Sequence, residues 1–175
     1  MKTKVMTCLL LLASLAITAQ ENWKTLKKDA FAISYPDNWE SSDQLSQPGM
    51  QFLLLSDEST MDGDKFREYI NLTTESLNGQ ELTVEEYAKI SLDQIMTQLP
   101  DSKIESNNAT QLDGLATKEV VWSADFGNGN LLKFKQSILL FNGKAYILTF
   151  SSSTAEYDDY VKIADLIFQS FKLAK

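Results

Sequence analysis

Residues 131–151 read LLKFKQSILLFNGKAYILTFS, two apolar-rich runs hinged on Asn142-Gly143. Asn-Gly is the favoured dipeptide of a two-residue type I′ hairpin turn, because both central residues need positive φ, which asparagine tolerates and glycine adopts freely. Counting outward from that turn pairs Phe141 with Lys144, Leu140 with Ala145 and Ile138 with Ile147. The same register places Leu139, Tyr146, Leu148 and Phe150 on the opposite face. Both faces of the hairpin therefore carry apolar side chains, and both must be covered. Helices are the natural covers.

The flanking sequence supplies them. Upstream of the hairpin, Gly127-Asn128-Gly129-Asn130 predicts a turn, preceded by a strand from Ala116 to Phe126 with Val120, Trp122, Ala124 and Phe126 on one side. A weaker strand is expected at about Lys103 to Leu112. Before it, Thr83 with Glu86 three residues later forms a capping box, and Pro100 stops a helix after Leu99. Val84, Tyr87, Ala88, Leu92, Ile95 and Leu99 line one stripe of that helix. Downstream, Ser153 with Glu156 predicts a second capping box and a helix to about Lys172, with Tyr157, Tyr160, Val161, Ala164, Ile167, Phe168 and Phe171 in its stripe.

Nearer the N-terminus, Phe31 to Tyr35 alternates as a strand ended by a turn at Pro36-Asp37-Asn38. A polar loop follows Trp39 as far as Gly49. Met50 to Leu55 reads as a strand buried on both faces, and Tyr69 to Leu77 as another alternating strand beyond an acidic loop. The order strands, helix, four strands, helix lacks the βαβ alternation of a parallel sheet. It predicts an α+β fold, a mostly antiparallel sheet sandwiched between helices.

Residues 1–19 have the form of a secretory signal, with Lys2 and Lys4 ahead of an apolar run from Val5 to Ile17 and small residues at Thr18-Ala19. The run is shorter than the roughly 20 residues that span a bilayer, which argues against a transmembrane anchor. Cys8 lies in a poor lipobox, so lipidation is not expected. Cleavage after Ala19 leaves one domain, residues 20–175, with 14 basic residues against 24 acidic ones, a formal charge of −10. Such a surface repels phosphate backbones and anionic lipid, which disfavours nucleic-acid binding and membrane attachment. The expected location is exported, periplasmic or extracellular, in a bacterium.

Side-chain chemistry narrows the choices further. The chain has no histidine, and Cys8 is its only cysteine. Without them the mature part supplies no Ser-His-Asp relay, no Cys-His pair and no imidazole or thiolate ligands for zinc or an iron–sulfur cluster. No disulfide is possible, so stability must come from the core.

Several segments taken together carry a family resemblance: the export signal, Ile33-Ser34-Tyr35-Pro36-Asp37-Asn38-Trp39, Leu82-Thr83-Val84-Glu85-Glu86-Tyr87-Ala88, the hairpin through Phe150, and the closing Ile167-Phe168-Gln169-Ser170-Phe171. The chain resembles PsbP-like and DcrB-like proteins over nearly all of its mature length. The resemblance implies an α-β-α sandwich around an antiparallel sheet, and as a rule no enzymatic activity. Plant and cyanobacterial members are extrinsic photosystem II subunits and bacterial ones are envelope proteins. No photosystem-docking motif is matched here.

Few candidate sites emerge. The acidic loop holds Asp57, Glu58, Asp62, Asp64 and Glu68, oxygen ligands suited to a hard cation such as calcium. With Gly63 at the sixth position of an EF-hand loop, the twelfth is Tyr69 where a bidentate Glu is required, so a solvated loop is the simpler reading. Asp113 or Asp125 could serve in an acid/base pair. Ser151-Ser152-Ser153 has no base partner of the usual kind. Asn71-Leu72-Thr73 and Asn108-Ala109-Thr110 match the N-glycosylation pattern, but the bacterial type of signal predicts that they stay unmodified. Trp23, Trp39 and Trp122 read as core. On the last helix, Ile163 and Leu166 project from the side opposite the stripe, a contact surface for another envelope protein or a second copy. The expected role is a non-catalytic exported binding or accessory domain, with no cofactor, no metal and no small-molecule ligand. The alternative is a carboxylate-dependent hydrolase or cation-binding domain.

Overall fold

The Asn142-Gly143 turn forms with φ of 49° and 72°, both positive as type I′ requires. In the computed structural model, which describes residues 22–62, 65–127 and 129–175, it joins β8 (Leu131–Phe141) to β9 (Lys144–Ser153). Ile138 pairs with Ile147 and Leu140 with Ala145, the register read from the sequence. The expected signal, with Cys8, and the residues Gly63, Asp64 and Asn128 lie outside the described residues.

Around this hairpin the remaining elements run in chain order as β1 (Trp23–Lys27), β2 (Phe31–Pro36), β3 (Glu40–Ser42), β4 (Met50–Leu55), β5 (Tyr69–Ser76), α1 (Val84–Gln98), β6 (Lys103–Leu112) and β7 (Leu115–Asp125). After β9 come α2 (Tyr157–Gln169) and β10 (Lys172–Leu173). A seven-stranded sheet has the order β3-β4-β5-β9-β8-β7-β6, with every neighbouring pair antiparallel. A second, three-stranded sheet has the order β1-β2-β10. The fold is α+β, a mostly antiparallel sheet between helical layers.

Each face of the large sheet has its own core. On one, Tyr87, Ala88 and Leu92 of α1 pack on Val120, Trp122, Leu132, Phe134, Ile138 and Ala145. On the other, α2 and the small sheet together cover Phe52, Leu54, Ile70, Leu72, Leu139, Tyr146, Leu148 and Phe150, using Ile33, Ala164, Ile167, Phe168 and Phe171. Trp39 and Trp122 are buried and Trp23 packs against the core. Trp122 stacks on Phe134 at 4.1 Å and donates its indole N–H to Gln136 at 3.0 Å.

Several expectations need correction. β1, β3 and β10 were not visible as strands, because each is short and largely polar and exists only through pairing. Met50–Leu55 is not buried on both faces: Phe52 and Leu54 are, while Gln51, Leu53 and Leu55 are half-exposed. Phe126 falls after β7 and is 49% exposed. The capping box at Thr83–Glu86 is complete, with both bonds made. That at Ser153–Glu156 is not, since Ser153 still belongs to β9 and its hydroxyl only accepts the Glu156 N–H at 3.3 Å; the helix begins one turn later. It also ends before the expected Lys172. Ser170 stops it by exchanging hydrogen bonds with the Ser34 backbone, and Phe171 turns fully into the core.

Candidate functional site

Two segments separate in the sequence meet in one groove of about 600 Å³. One wall is the Tyr35-Pro36-Asp37-Asn38-Trp39 turn with Glu40 and Ser41 of β3. The other is the acidic loop, which folds as a 3-10 helix over Glu58–Asp62. The turn is closed by the Trp39 N–H donating to the Pro36 carbonyl at 3.0 Å, and burial of Tyr35 and Trp39 anchors it. Lys24 reaches across from β1 and donates to the Asp37 carbonyl at 2.6 Å.

Arg67 joins the two walls. Its Nε donates to the Ser56 carbonyl at 2.7 Å, Nη2 pairs with Glu40 at 3.0 Å, and Nη1 lies 3.8 Å from Glu58. The guanidinium is thus held in a fixed plane, as its fork of donors allows. The groove sets four carboxylates, Asp37, Glu40, Asp57 and Glu58, against two cations, Lys24 and Arg67. The lining therefore carries a formal charge of −2.

Of the metal candidates, Asp57, Glu58 and Glu68 each engage a different partner; the Asp62 side chain and Asp64 lie outside what the structure describes. Asp57 caps the 3-10 helix, and the Ser59 hydroxyl and N–H hold its carboxyl below the usual range. Glu58 faces Arg67. Glu68 turns inward, fully buried, where the Ser152 hydroxyl donates to it at 3.2 Å. Among the described residues no three acidic, histidine or cysteine side chains are placed to hold an ion.

A second, smaller cleft of about 180 Å³ lies between α2 and β6–β8. Here Lys135 is buried between Asp165 at 2.6 Å and Glu119 at 3.2 Å. Burial alone would lower its ammonium, but the hydrogen bonds and fields of Asp165 and Glu119 outweigh it and hold the group above its ordinary value. Beside it Lys133 pairs with Glu105 at 2.7 Å and sits 4.3 Å over the Tyr157 ring. The bond from Lys133 keeps the Glu105 carboxyl below its usual range. A nucleophilic amine needs a lowered pKa and a general-acid carboxyl a raised one. Lys135 and Glu105 are both shifted the other way.

The other candidates separate in space. Asp113 lies in the turn before β7 and Asp125 at the far end of that strand, which is about 34 Å long at roughly 3.4 Å per residue, far beyond any acid/base pairing. Asp113 sits in the β6–β7 turn and binds the C-terminus, while Asp125 accepts the Gly127 N–H at 2.7 Å to shape the next turn. Ser151, Ser152 and Ser153 are buried at the end of β9. Ile163 is partly buried and packs against the core, while Leu166, one turn along α2, is 41% exposed.

Arg67 and Lys135 escaped the sequence reading. For Lys135 a signal existed, since Lys133 and Lys135 alternate along a strand whose two faces are both covered, which forces buried or half-buried ammoniums to find acids. Arg67 carried none.

A family model described as PsbP-like protein matches residues 14–173. No curated protein matches the chain. Among solved structures, cyanobacterial PsbP (CyanoP) from Synechocystis sp. PCC 6803 is similar with a TM-score of 0.66 at 14% identity, covering 93% of this chain and 99% of that one. LpqN, involved in cell envelope biogenesis of Mycobacterium tuberculosis, gives 0.61 at 13% identity, with 88% and 91% covered. The Saccharomyces cerevisiae Ran-binding protein Mog1p gives 0.60 at 10%, with 87% and 95% covered. At these identities the likeness is one of fold.

Proposed function

The chain belongs to the PsbP-like protein family, and on that premise we propose that it is a non-catalytic, exported accessory protein of the bacterial envelope that binds a protein partner through the Arg67 groove. The observation that carries this reading is the groove itself. It is open, rigidly built around one guanidinium, and richer in carboxylates than in cations. That pattern suits a lysine- or arginine-bearing segment of another envelope protein. LpqN, of the same fold, is described as acting in envelope biogenesis and Mog1p as a binding protein, which is in keeping with this reading. Among the described residues no helix is long and apolar enough to cross a membrane. Leu166, exposed on α2, is a second candidate contact with such a partner or with another copy.

The test is a photo-crosslinking residue placed at Asn38 in the groove and, as control, at Ile90 on the outer face of α1. Crosslinking in the native envelope should give one discrete adduct from Asn38 and none from Ile90, and Glu58→Lys, which reverses a charge on the opposite wall, should weaken it at least tenfold. Equal labelling from both positions, or an adduct indifferent to Glu58→Lys, would remove the groove from consideration. Intact mass tests export separately: a mature chain starting at Gln20 or Glu21 is expected, and a retained N-terminus or an added lipid would overturn that part.

A further inference from the structure

A strand at the edge of a sheet presents unpaired N–H and C=O groups, and proteins protect such edges with shortness, charge, proline or cover. Most edges of this chain follow that rule. β10 has two residues, β3 has three with Glu40 held by Arg67, and β1 has five including Lys24 and Lys27. β6 does not. It is ten residues long, and although Lys103, Glu105 and a β-bulge between Ile104 and Ser106 guard its start, beyond them no described strand lies on its outer side, Asn107 to Gln111 are exposed, and Ser106 to Leu112 contains no charge and no proline.

The β6–β7 turn decides which backbone groups face outward. Asp113 and Gly114 have φ of 51° and 77°, a type I′ turn, so the flanking Leu112–Leu115 pair exchanges both of its hydrogen bonds. Alternation then points the backbone groups of Thr110, Asn108 and Ser106 at β7. Those of Asn107, Ala109 and Gln111 point away from the sheet.

We propose that this edge pairs antiparallel with the same edge of a second copy of the chain, with the two-fold axis at Ala109. Two-fold symmetry requires one residue to pair with itself, and alanine is the smallest side chain of the outward-bonding set. Asn107 then lies opposite Gln111 and the reverse, three hydrogen-bonded pairs with about six backbone bonds. The occupant follows from chemistry. Both faces of β6 are polar along this window, so an added strand must be polar on both faces, and β6 is itself such a strand. Two strongly acidic chains can meet here without opposing unpaired charges. At the ends of the window the charges are already paired: Glu105 with Lys133, and Asp113 in the β6–β7 turn with Lys172 and Lys175. This association goes beyond the accessory role and does not depend on it.

Sedimentation equilibrium of the mature chain over micromolar to millimolar concentration should show a reversible dimer. Ala109→Pro removes only an outward N–H, which an edge strand tolerates, and should weaken the dimer at least tenfold with the fold retained. Should that variant unfold, Asn107→Lys with Gln111→Lys decides, since it sets like charges near one another across the axis without touching the β6–β7 ladder. Amide exchange at Asn107, Ala109 and Gln111 should slow with concentration, while Asn108 and Thr110 stay protected at every concentration. A monomer throughout, or a dimer unaffected by the lysine pair, overturns the proposal. So does a monomer whose edge instead binds an added polar heptapeptide.

Discussion

At the scale of single residues, glycines with positive φ differ in what surrounds them. Gly143 has φ of 72° with open space where a Cβ would stand, so a side chain there meets backbone strain alone. Gly49 has φ of 79°, and a Cβ would lie 2.6 Å from the Thr74 carbonyl oxygen, a backbone atom of β5 that cannot move without disturbing the β4–β5 pairing. Gly143→Ala should therefore cost about 1 kcal/mol, and Gly49→Ala more than that. Urea denaturation midpoints compare the two, and equal losses would show that strain dominates at both sites. Asparagine at 142 is the complementary choice, since it accepts a φ of 49° at little cost.

At the scale of elements, the chain ends are tied by charge. β10 pairs with β2, and its Leu173 N–H donates to Asp113 at 3.2 Å while Lys172 and Lys175 approach the same carboxylate at 3.4 and 3.3 Å. Burial opposes ionisation of Asp113, but the Leu173 N–H and the two ammoniums outweigh it, and the carboxyl is held below its ordinary value of 3.8. The sign follows: a group with a lowered folded pKa stabilises above its unfolded value and loses that contribution as pH falls through the folded one. Protection of the Leu173 and Ala174 amides should be present at neutral pH and fall away below about pH 3.8, ahead of the central strands. Asp113→Asn should show the reduced protection already at pH 7. Identical protection in the variant would mean that the β2 pairing alone holds β10.

For the whole molecule, the acidic side chains around the acidic loop are engaged by neighbouring groups. Asp57 caps a turn, Glu58 and Glu40 face Arg67, and Glu68 is buried against Ser152. Calcium added at near-physiological salt should leave the melting temperature unshifted, since a ligand that binds only the native state must stabilise it. A saturable rise with a micromolar midpoint would establish a site in the acidic loop. The same economy explains the two clefts, where most carboxylates sit beside a lysine or arginine and give surfaces for recognition.

The strand–turn–strand core, the capping box of α1, the antiparallel α+β class and the family were legible in the amino-acid sequence, because they rest on local periodicity, turn chemistry and end caps acting over a few residues. Tertiary structure alone decided the rest. The C-terminal end of α2 moved because Ser170 binds Ser34, 136 residues away. β1, β3 and β10 exist only where partner strands supply their hydrogen bonds, and no periodic signal marks so short a segment. Arg67 became the centre of a groove because folding carried the Tyr35–Trp39 turn to the acidic loop. Hydrogen bonds and charge pairs between distant residues have no period in the chain, so they become visible only when the backbone brings them within reach.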